Sequence, residues 1–282
     1  MAFNEDSRVK IPSILHLIRL GYEYIPLKHS NWDTDTNIFT DIFKSSIKKI
    51  NPGLEDDEAD RVLDEVTLAL DNEDLGKAFY EKLTDRSGIR LIDFENFKEN
   101  KFNVVTELTY KKDDEEFRPD IILLINGMPL VFIEVKKPNN KDGVIAERER
   151  INKRFQNKKF RKFVNITQLM IFSNNMEYDD GSPSPIEGAF YASSSYHKPI
   201  FNYFREKEKF DLDSILRPND DIIENYVLKD TNLVGIKHTE EFSTNKDPDT
   251  PTNRICTSML SKDRLSFILQ YAIAYVNEKQ GK

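Results

Sequence analysis

Apolar residues along the first hundred positions recur three and four apart. IPSILHLIRLGYEYI, NIFTDIFKSSIKKI, DDEADRVLDEVTLAL and NEDLGKAFYEKL each carry this spacing, which places one apolar stripe along a helix. The period then changes. FNVVTELTYKK, RPDIILLI and PLVFIEVK are short runs rich in β-branched and aromatic residues, joined by polar and turn residues, and they read as three strands. A polar helical stretch follows from about Val144 to Phe163, then a strand in NITQLMIFSN and another in GAFYAS, separated by the loop-forming YDDGSPSP. After about Tyr196 the signals weaken, until SKDRLSFILQYAIAYVNEK sets Leu265, Ile268, Leu269, Ala272, Ile273 and Val276 on one helical face. That stripe needs a partner, and the chain stops just beyond it, as expected for a junction to a further part.

Between Phe117 and Asn140, FRPDIILLINGMPLVFIEVKKPNN breaks its own apolar pattern. Asp120 opens the first strand; Glu134 and Lys136 interrupt the second. Residues two apart share a face of a strand, so Glu134 and Lys136 project together and Val135 points away. Two neighbouring carboxylates without a cation repel, and one tends to stay protonated. A divalent ion removes that cost, and hard oxygen ligands suit Mg2+. Such an ion stabilises charge on a phosphoryl oxygen and helps turn bound water into hydroxide, while an adjacent ammonium offsets charge in a pentavalent transition state. A bare Glu-x-Lys is common on the wet face of a hairpin. Here Pro119–Asp120 at the strand start, the strongly apolar flanks and the break at Lys137-Pro138 favour chemistry.

Register tests this idea. A tight two-residue turn at Asn126-Gly127 would set Ile125 opposite Met128 and Asp120 opposite Ile133, leaving Asp120 and Glu134 on opposite faces. A shared site therefore requires an odd-length loop, such as Ile125-Asn126-Gly127 with Asp120 opposite Phe132, or a β-bulge.

Composition narrows the class. The chain has 282 residues, 32% of them charged, and a formal net charge of −8, as in an ordinary globular protein. Its one cysteine, Cys256, excludes an internal disulfide and fits a reducing cytosol. No apolar run approaches the roughly 20 residues that cross a bilayer, and MAFNEDSRVK lacks a signal-peptide core, so a cytoplasmic protein is expected. The average hides an asymmetry. Glu55 to Asp74 holds ten acids against Arg61, and Lys141 to Lys162 holds nine Lys or Arg against three acids. The acids sit where a helix start favours negative charge, whereas concentrated positive charge suits a nucleic-acid partner. His16, His29, His197 and His238 show no metal-ligand spacing. There is no G-x-x-x-x-G-K-[ST], so ATP hydrolysis is not expected of this chain.

Pro119–Asp120, thirteen residues, then Glu134–Val135–Lys136 matches the PD-(D/E)xK nuclease motif. Its setting, LIDFENFKENKFNVVTELTY before and NITQLMIFSNN after, resembles the N-terminal nuclease domain of the type I restriction enzyme R subunit (HsdR), most strongly over 90–175. The resemblance implies an α/β fold, a mixed β-sheet flanked by helices with a helical N-terminal part. It implies a nuclease domain over residues 1–196, with 197–282 as linker and the start of a junction to a motor domain. It implies a Mg2+-dependent DNA endonuclease, with Asp120, Glu134 and the Val135 carbonyl as metal ligands and Lys136 as the catalytic lysine. The partners it implies are DNA, the motor domain of the same polypeptide, which uses ATP, and methylation and specificity subunits. The family's Gln-x-x-x-Tyr motif is replaced by Ile151 and Phe155 within ERERINKRFQNKKF, so the candidate DNA contacts are the basic residues Lys137, Arg148, Arg150, Lys153, Arg154 and Lys158. Glu5 is a candidate upstream acid, and Glu107 a structural one. Two other readings stand beside this: a DNA-binding or scaffolding module with a vestigial site, and a solitary repair nuclease.

Overall fold

The computed structural model describes residues 5–136, 143–178, 181, 187–194, 201–206 and 209–275. The helical N-terminal part comprises α1 (Ile11–Arg19), preceded by a wide helical turn at Asp6–Lys10, then α2 (Thr40–Ile50), α3 (Asp56–Ala69) and α4 (Lys77–Thr84). The acidic run does what its position predicts. Asp56, Asp57 and Glu58 occupy the first turn of α3, and the Glu58 carboxylate accepts the Glu55 backbone N–H at 3.1 Å, so negative charge meets the exposed amides of the helix start.

A seven-stranded sheet follows. Its strands are β1 (Glu23–Tyr24), β2 (Phe102–Thr106), β5 (Ile121–Ile125), β6 (Met128–Val135), β7 (Leu169–Ser173), β8 (Ala189–Ala192) and β9 (Asn202–Tyr203), adjacent in that order. β3 (Tyr110–Lys112) and β4 (Glu115–Phe117) form a separate hairpin. β1–β2 and β6–β7 pair parallel and the other neighbours antiparallel, so the expected mixed sheet flanked by helices is what forms. Every residue of β5, β6 and β7 is buried, which explains why these strands read as continuous apolar runs rather than as alternation.

Alternate residues feed two cores. Ile121, Leu123, Ile125, Val131 and Ile133 face the N-terminal helices. Ile122, Leu124 and Phe132 face the other layer, built from α5 (Gly143–Gln156), α6 (Arg161–Ile166) and Phe117.

The segment expected as a linker from 197 onward joins the first core in its described parts. It contains α7 (Leu212–Ile215), α8 (Asp221–Asp230), α9 (Glu240–Asn245), α10 (Pro251–Leu260) and α11 (Lys262–Phe267). Val227, Phe242, Ile255, Leu260, Leu265 and Leu269 share that core with α1 and the sheet. His16 on α1 meets the Thr257 hydroxyl at 2.7 Å, and the Tyr22 hydroxyl donates to the Leu260 carbonyl at 2.9 Å. Part of the terminal stripe thus finds its partner within the chain, while Ile268 and Ile273 are half-buried and Ala272 is exposed. Leu265 and Leu269 are fully buried, and the Tyr80 hydroxyl donates to the carbonyls of Leu269 and Ile273; Val276 lies outside the described residues. Among the described residues no helix is long and apolar enough to cross a membrane.

Candidate active site

The β5–β6 hairpin combines the two alternatives that the sequence poses. Its turn is the tight one: Asn126 (φ 50°) and Gly127 (φ 79°) both adopt the left-handed conformation, and Ile125 pairs with Met128. The expected three-residue loop is not used. Instead a bulge lies just inside the turn, where Leu124 pairs with Pro129 but Leu123 pairs with Val131, leaving Leu130 as the extra residue. Proline, which has no N–H for a ladder, is well placed beside such an irregularity. The register beyond the bulge pairs Ile121 with Ile133, so the next position along sets Asp120 opposite Glu134. Both carboxylates lie on the face of Ile122 and Phe132, under α5.

The site is crowded and only partly satisfied. One Asp120 oxygen, Oδ2, accepts the Val135 N–H at 2.9 Å. Lys136 Nζ lies 3.0 Å from Glu134 Oε1 and 3.9 Å from Asp120 Oδ2, and the Lys136 N–H, donating to the Ser173 carbonyl, ties its backbone to β7. Glu134 is 7% exposed, and its Oε2 is buried with no hydrogen-bond partner among the described residues. Burial, then the neighbouring Asp120 charge, pushes the Glu134 carboxyl up to about 8. Burial likewise raises Asp120, against the pull of Lys136. On Lys136 burial acts downward, but the two carboxylates outweigh it and hold the ammonium above its ordinary range, with Glu5 adding to the effect. The ammonium therefore occupies the place a cation would take between two acids.

Two outer acids frame this centre. The Glu107 N–H donates to the Asp120 carbonyl, and its side chain accepts from Lys10 at 2.7 Å, with Arg118 at 3.6 Å; this is the structural role expected of it. Sequence reasoning missed Glu147. This residue, 2% exposed on α5, reaches Arg150 at 2.9 Å and Arg154 at 3.5 Å, and its charge helps to raise Glu134. The signal was available: Glu147, Ile151 and Phe155 are four apart and share one helical face, and all three are buried. The positions that replace Gln-x-x-x-Tyr are therefore core residues here.

The candidate DNA contacts divide. Arg154 stacks on Phe117, its guanidinium carbon 3.9 Å from the ring centre, while Glu147 holds it from the side. Arg148 is half-buried, with Nε lacking a partner among the described residues. Arg150 and Lys153 are exposed on α5. Lys158 pairs with Glu73 at 3.1 Å, so it serves the contact with the N-terminal helices. Lys137 lies outside the described residues. His16, His29 and His238 join no metal cluster, and among the described residues no group of three or more His, Cys, Asp or Glu could hold an ion; His197 lies outside them.

A mixed sheet whose central hairpin sets a buried acid, a half-buried acid and a lysine on one face defines a restriction-endonuclease-like α/β protein. The family described as Type I restriction enzyme R protein N terminus matches residues 2–182, and the chain belongs to that family. Over 206 residues, 64% of the chain, it is 31% identical to a putative type I restriction enzyme MjaIXP endonuclease subunit of Methanocaldococcus jannaschii, covering 20% of that protein. It is 26% identical over 253 residues, 79% of the chain, to the type I restriction enzyme HindI endonuclease subunit of Haemophilus influenzae, covering 24% of it. A type I restriction enzyme endonuclease subunit of Staphylococcus aureus strain COL is 26% identical over 63% of the chain and 19% of its own length. The chain thus spans about a fifth to a quarter of the curated relatives it matches.

Proposed function

We propose that this chain is the Mg2+-dependent DNA endonuclease part of a type I restriction R subunit, hydrolysing phosphodiester bonds with Asp120, Glu134 and Lys136. One observation carries the reading: Glu134 keeps a buried carboxylate oxygen, without a partner among the described residues, directly across the hairpin from Asp120. An acid buried for packing alone has its oxygens satisfied. The donor set suits a hard divalent ion, because two carboxylates that resist ionising beside one another gain most from a cation. Asp120, Glu134 and the Val135 carbonyl would hold it, and the ion would supply charge stabilisation at a phosphoryl oxygen and a more acidic water.

The chain's own groups do the rest. Lys136, kept protonated by its two acids, presents a positive charge to the phosphate as negative charge builds on it. The tie of the Lys136 backbone to Ser173 and of Asp120 to the Val135 N–H fixes the backbone ends of β5 and β6, so an ion entering between the acids would need only the Lys136 side chain to move aside. Arg154, held on Phe117 by Glu147, sets a second positive charge beside them.

The partners follow from the same reading: DNA, a motor domain of the same full-length subunit that uses ATP, and methylation and specificity subunits, in the cytoplasm. Sequence choice belongs to those other subunits, since phosphate contacts carry no base information. Calorimetric titration of Mg2+ or Mn2+ into wild type and Asp120→Ala tests the centre. Binding in wild type that disappears in Asp120→Ala supports it; equal heats in both proteins, or none in wild type, would indicate a vestigial site.

A further inference from the structure

A second charged site lies at the other end of the sheet. A concavity of about 490 Å³ is lined by Arg19, Lys98, Lys209, Arg217, Lys262 and Arg264, against two acids, Asp211 and Asp263. In a chain of net charge −8, six cations around one hollow form a local excess, which rests on Arg19, Lys209, Arg217 and Lys262, since Glu206 holds Arg264 at 3.1 Å and Asp263 holds Lys98. A neighbouring hollow shares Gly21, Lys98, Arg217 and Lys262 and reaches Asn126 of the β5–β6 turn. The catalytic groups sit at the opposite ends of those strands, so the two sites are separate.

The cations are held in place rather than scattered. The Arg217 N–H donates to the Arg19 carbonyl at 2.8 Å, and Arg19 Nε donates back to the Arg217 carbonyl at 2.9 Å, which clamps the two backbones together. The Lys262 ammonium lies over the Phe102 ring, 4.5 Å from its centre. Lys262 and Arg217 then converge on Gly21. A β-carbon on that glycine would stand 3.2 Å from Lys262 Nζ and 3.5 Å from an Arg217 guanidinium nitrogen. Its φ of +98° also suits glycine alone. Lys98 has a partner in Asp263 at 3.2 Å, but among the described residues no carboxylate lies within ion-pair distance of Lys262 or Arg217. Their mutual repulsion shows on Lys262, whose proton affinity is lowered by burial and then by Arg217 and Lys98.

We propose that this pocket binds a ligand through a multiply charged phosphate group seated beside Gly21, between Lys262 and Arg217. An arginine fork and a lysine ammonium meeting at one point match a tetrahedral group with several anionic oxygens. A lone carboxylate carries one charge and leaves that excess uncompensated. The volume lies in the range of small-ligand sites, so a free phosphate compound of up to nucleotide size fits inside, whereas a DNA duplex reaches only the mouth with a backbone phosphate.

Pyrophosphate is the probe, titrated calorimetrically into the chain as wild type, Lys262→Met, Arg217→Gln and Lys98→Gln. The control is Lys82→Gln, whose lysine pairs with Glu65 on another surface. Saturable binding in wild type and control, weakened about tenfold or more by Lys262→Met or Arg217→Gln, is expected. Arg217→Gln and Lys98→Gln, both at exposed side chains, preserve the test if the half-buried Lys262→Met fails to fold. A second arm measures anisotropy of a labelled duplex. If the phosphate comes from DNA, the same substitutions weaken duplex binding and pyrophosphate competes with the duplex. If it comes from a free compound, duplex binding stays unchanged while pyrophosphate binding falls. The proposal is overturned if pyrophosphate does not saturate on wild type and the duplex is indifferent to the substitutions, or if pyrophosphate binds every variant equally.

Discussion

The two ends of one hairpin treat buried polarity in opposite ways. At the turn, Asn126 is fully buried, and its backbone N–H and both side-chain polar groups are used. Its N–H donates to the Lys101 carbonyl, its Oδ1 accepts the Lys101 N–H, and its Nδ2 donates to the Leu91 carbonyl and to Asn100 Oδ1. Asn100 in turn donates to the Asp93 and Phe97 carbonyls. At the far end, two acids face each other under α5, Glu134 has an oxygen with no partner among the described residues, and both carboxyls are pushed towards protonation. At Asn126 the polarity buried for architecture is satisfied by its neighbours. At the acid end the polarity keeps unused capacity, as the proposed chemistry requires, and the stability of the rest must carry that cost.

The contrast breaks most sharply under substitution of its active end. Lys136→Ala and Asp120→Ala should each reduce DNA cleavage by the full-length subunit in its complex by about a hundredfold or more. Both variants should stay folded, with the thermal midpoint lowered only modestly: Lys136→Ala leaves two acids that protonate readily, and Asp120→Ala relieves their repulsion but frees the Val135 N–H. Full cleavage in either variant would place the chemistry elsewhere.

The turn end should respond in stability instead. Asn126→Ala leaves the Leu91 carbonyl and the Lys101 N–H without their partner and Asn100 Oδ1 with the Asp93 N–H alone, at about 1–3 kcal/mol for each group left unpaired. Gly127→Ala forces a β-carbon to 2.6 Å from the Phe39 carbonyl at a φ of +79°. Urea unfolding should show a loss of several kcal/mol for each, with the heat of Mg2+ binding by the remaining folded protein unchanged. A normal midpoint would show the network to be dispensable.

His16 lies between the two cases, with Nε2 on Thr257 and Nδ1 buried without a partner. Burial lowers its pKa to about 3 from an ordinary 6.5. The folded state therefore stays neutral there while the unfolded chain takes up a proton. The full stability is present above pH 6.5 and falls as pH drops towards 3, by about 1.4 kcal/mol per unit at most. His16→Gln removes this titration, so its stability should decline less steeply from pH 6.5 to 5. Identical slopes would mean that His16 is not held neutral.

The smallest effect concerns α5. DNA binding by the chain should be weak, without sequence preference and strongly salt-dependent. Lys153→Gln should lower the magnitude of the slope of log affinity against log salt by about 0.9, the value of one phosphate contact. Glu147→Gln, which frees Arg150 and Arg154 from their shared anchor, should leave that slope unchanged while slowing cleavage, because it alters where Arg154 points rather than how many charges meet DNA. A sequence-selective footprint would contradict this account.

Local physics was legible from residues alone. Apolar spacing marks the helices and strands, Asn-Gly specifies a tight turn because both of its residues tolerate positive φ, and three charged residues in an apolar hairpin mark the site. The tertiary structure decided the register. Met128, Pro129, Leu130 and Val131 are all apolar, and β6 is buried on both faces, so no alternation records where its facing pattern slips by one. The bulge at Leu130 is placed by packing against two cores at once, and it alone brings Asp120 and Glu134 onto one face. The same limit applies elsewhere. The stripe of Leu265 and Leu269 states that the last helix will be covered, but not that α1 and the sheet will share the covering core. The charges of ERERINKR state that α5 is polar, but only its seating against Phe117 and the hairpin turns Glu147 inward. Short-range conformational preference is written residue by residue; the choice among equally apolar registers and partners depends on which surfaces meet, and only the folded chain makes it.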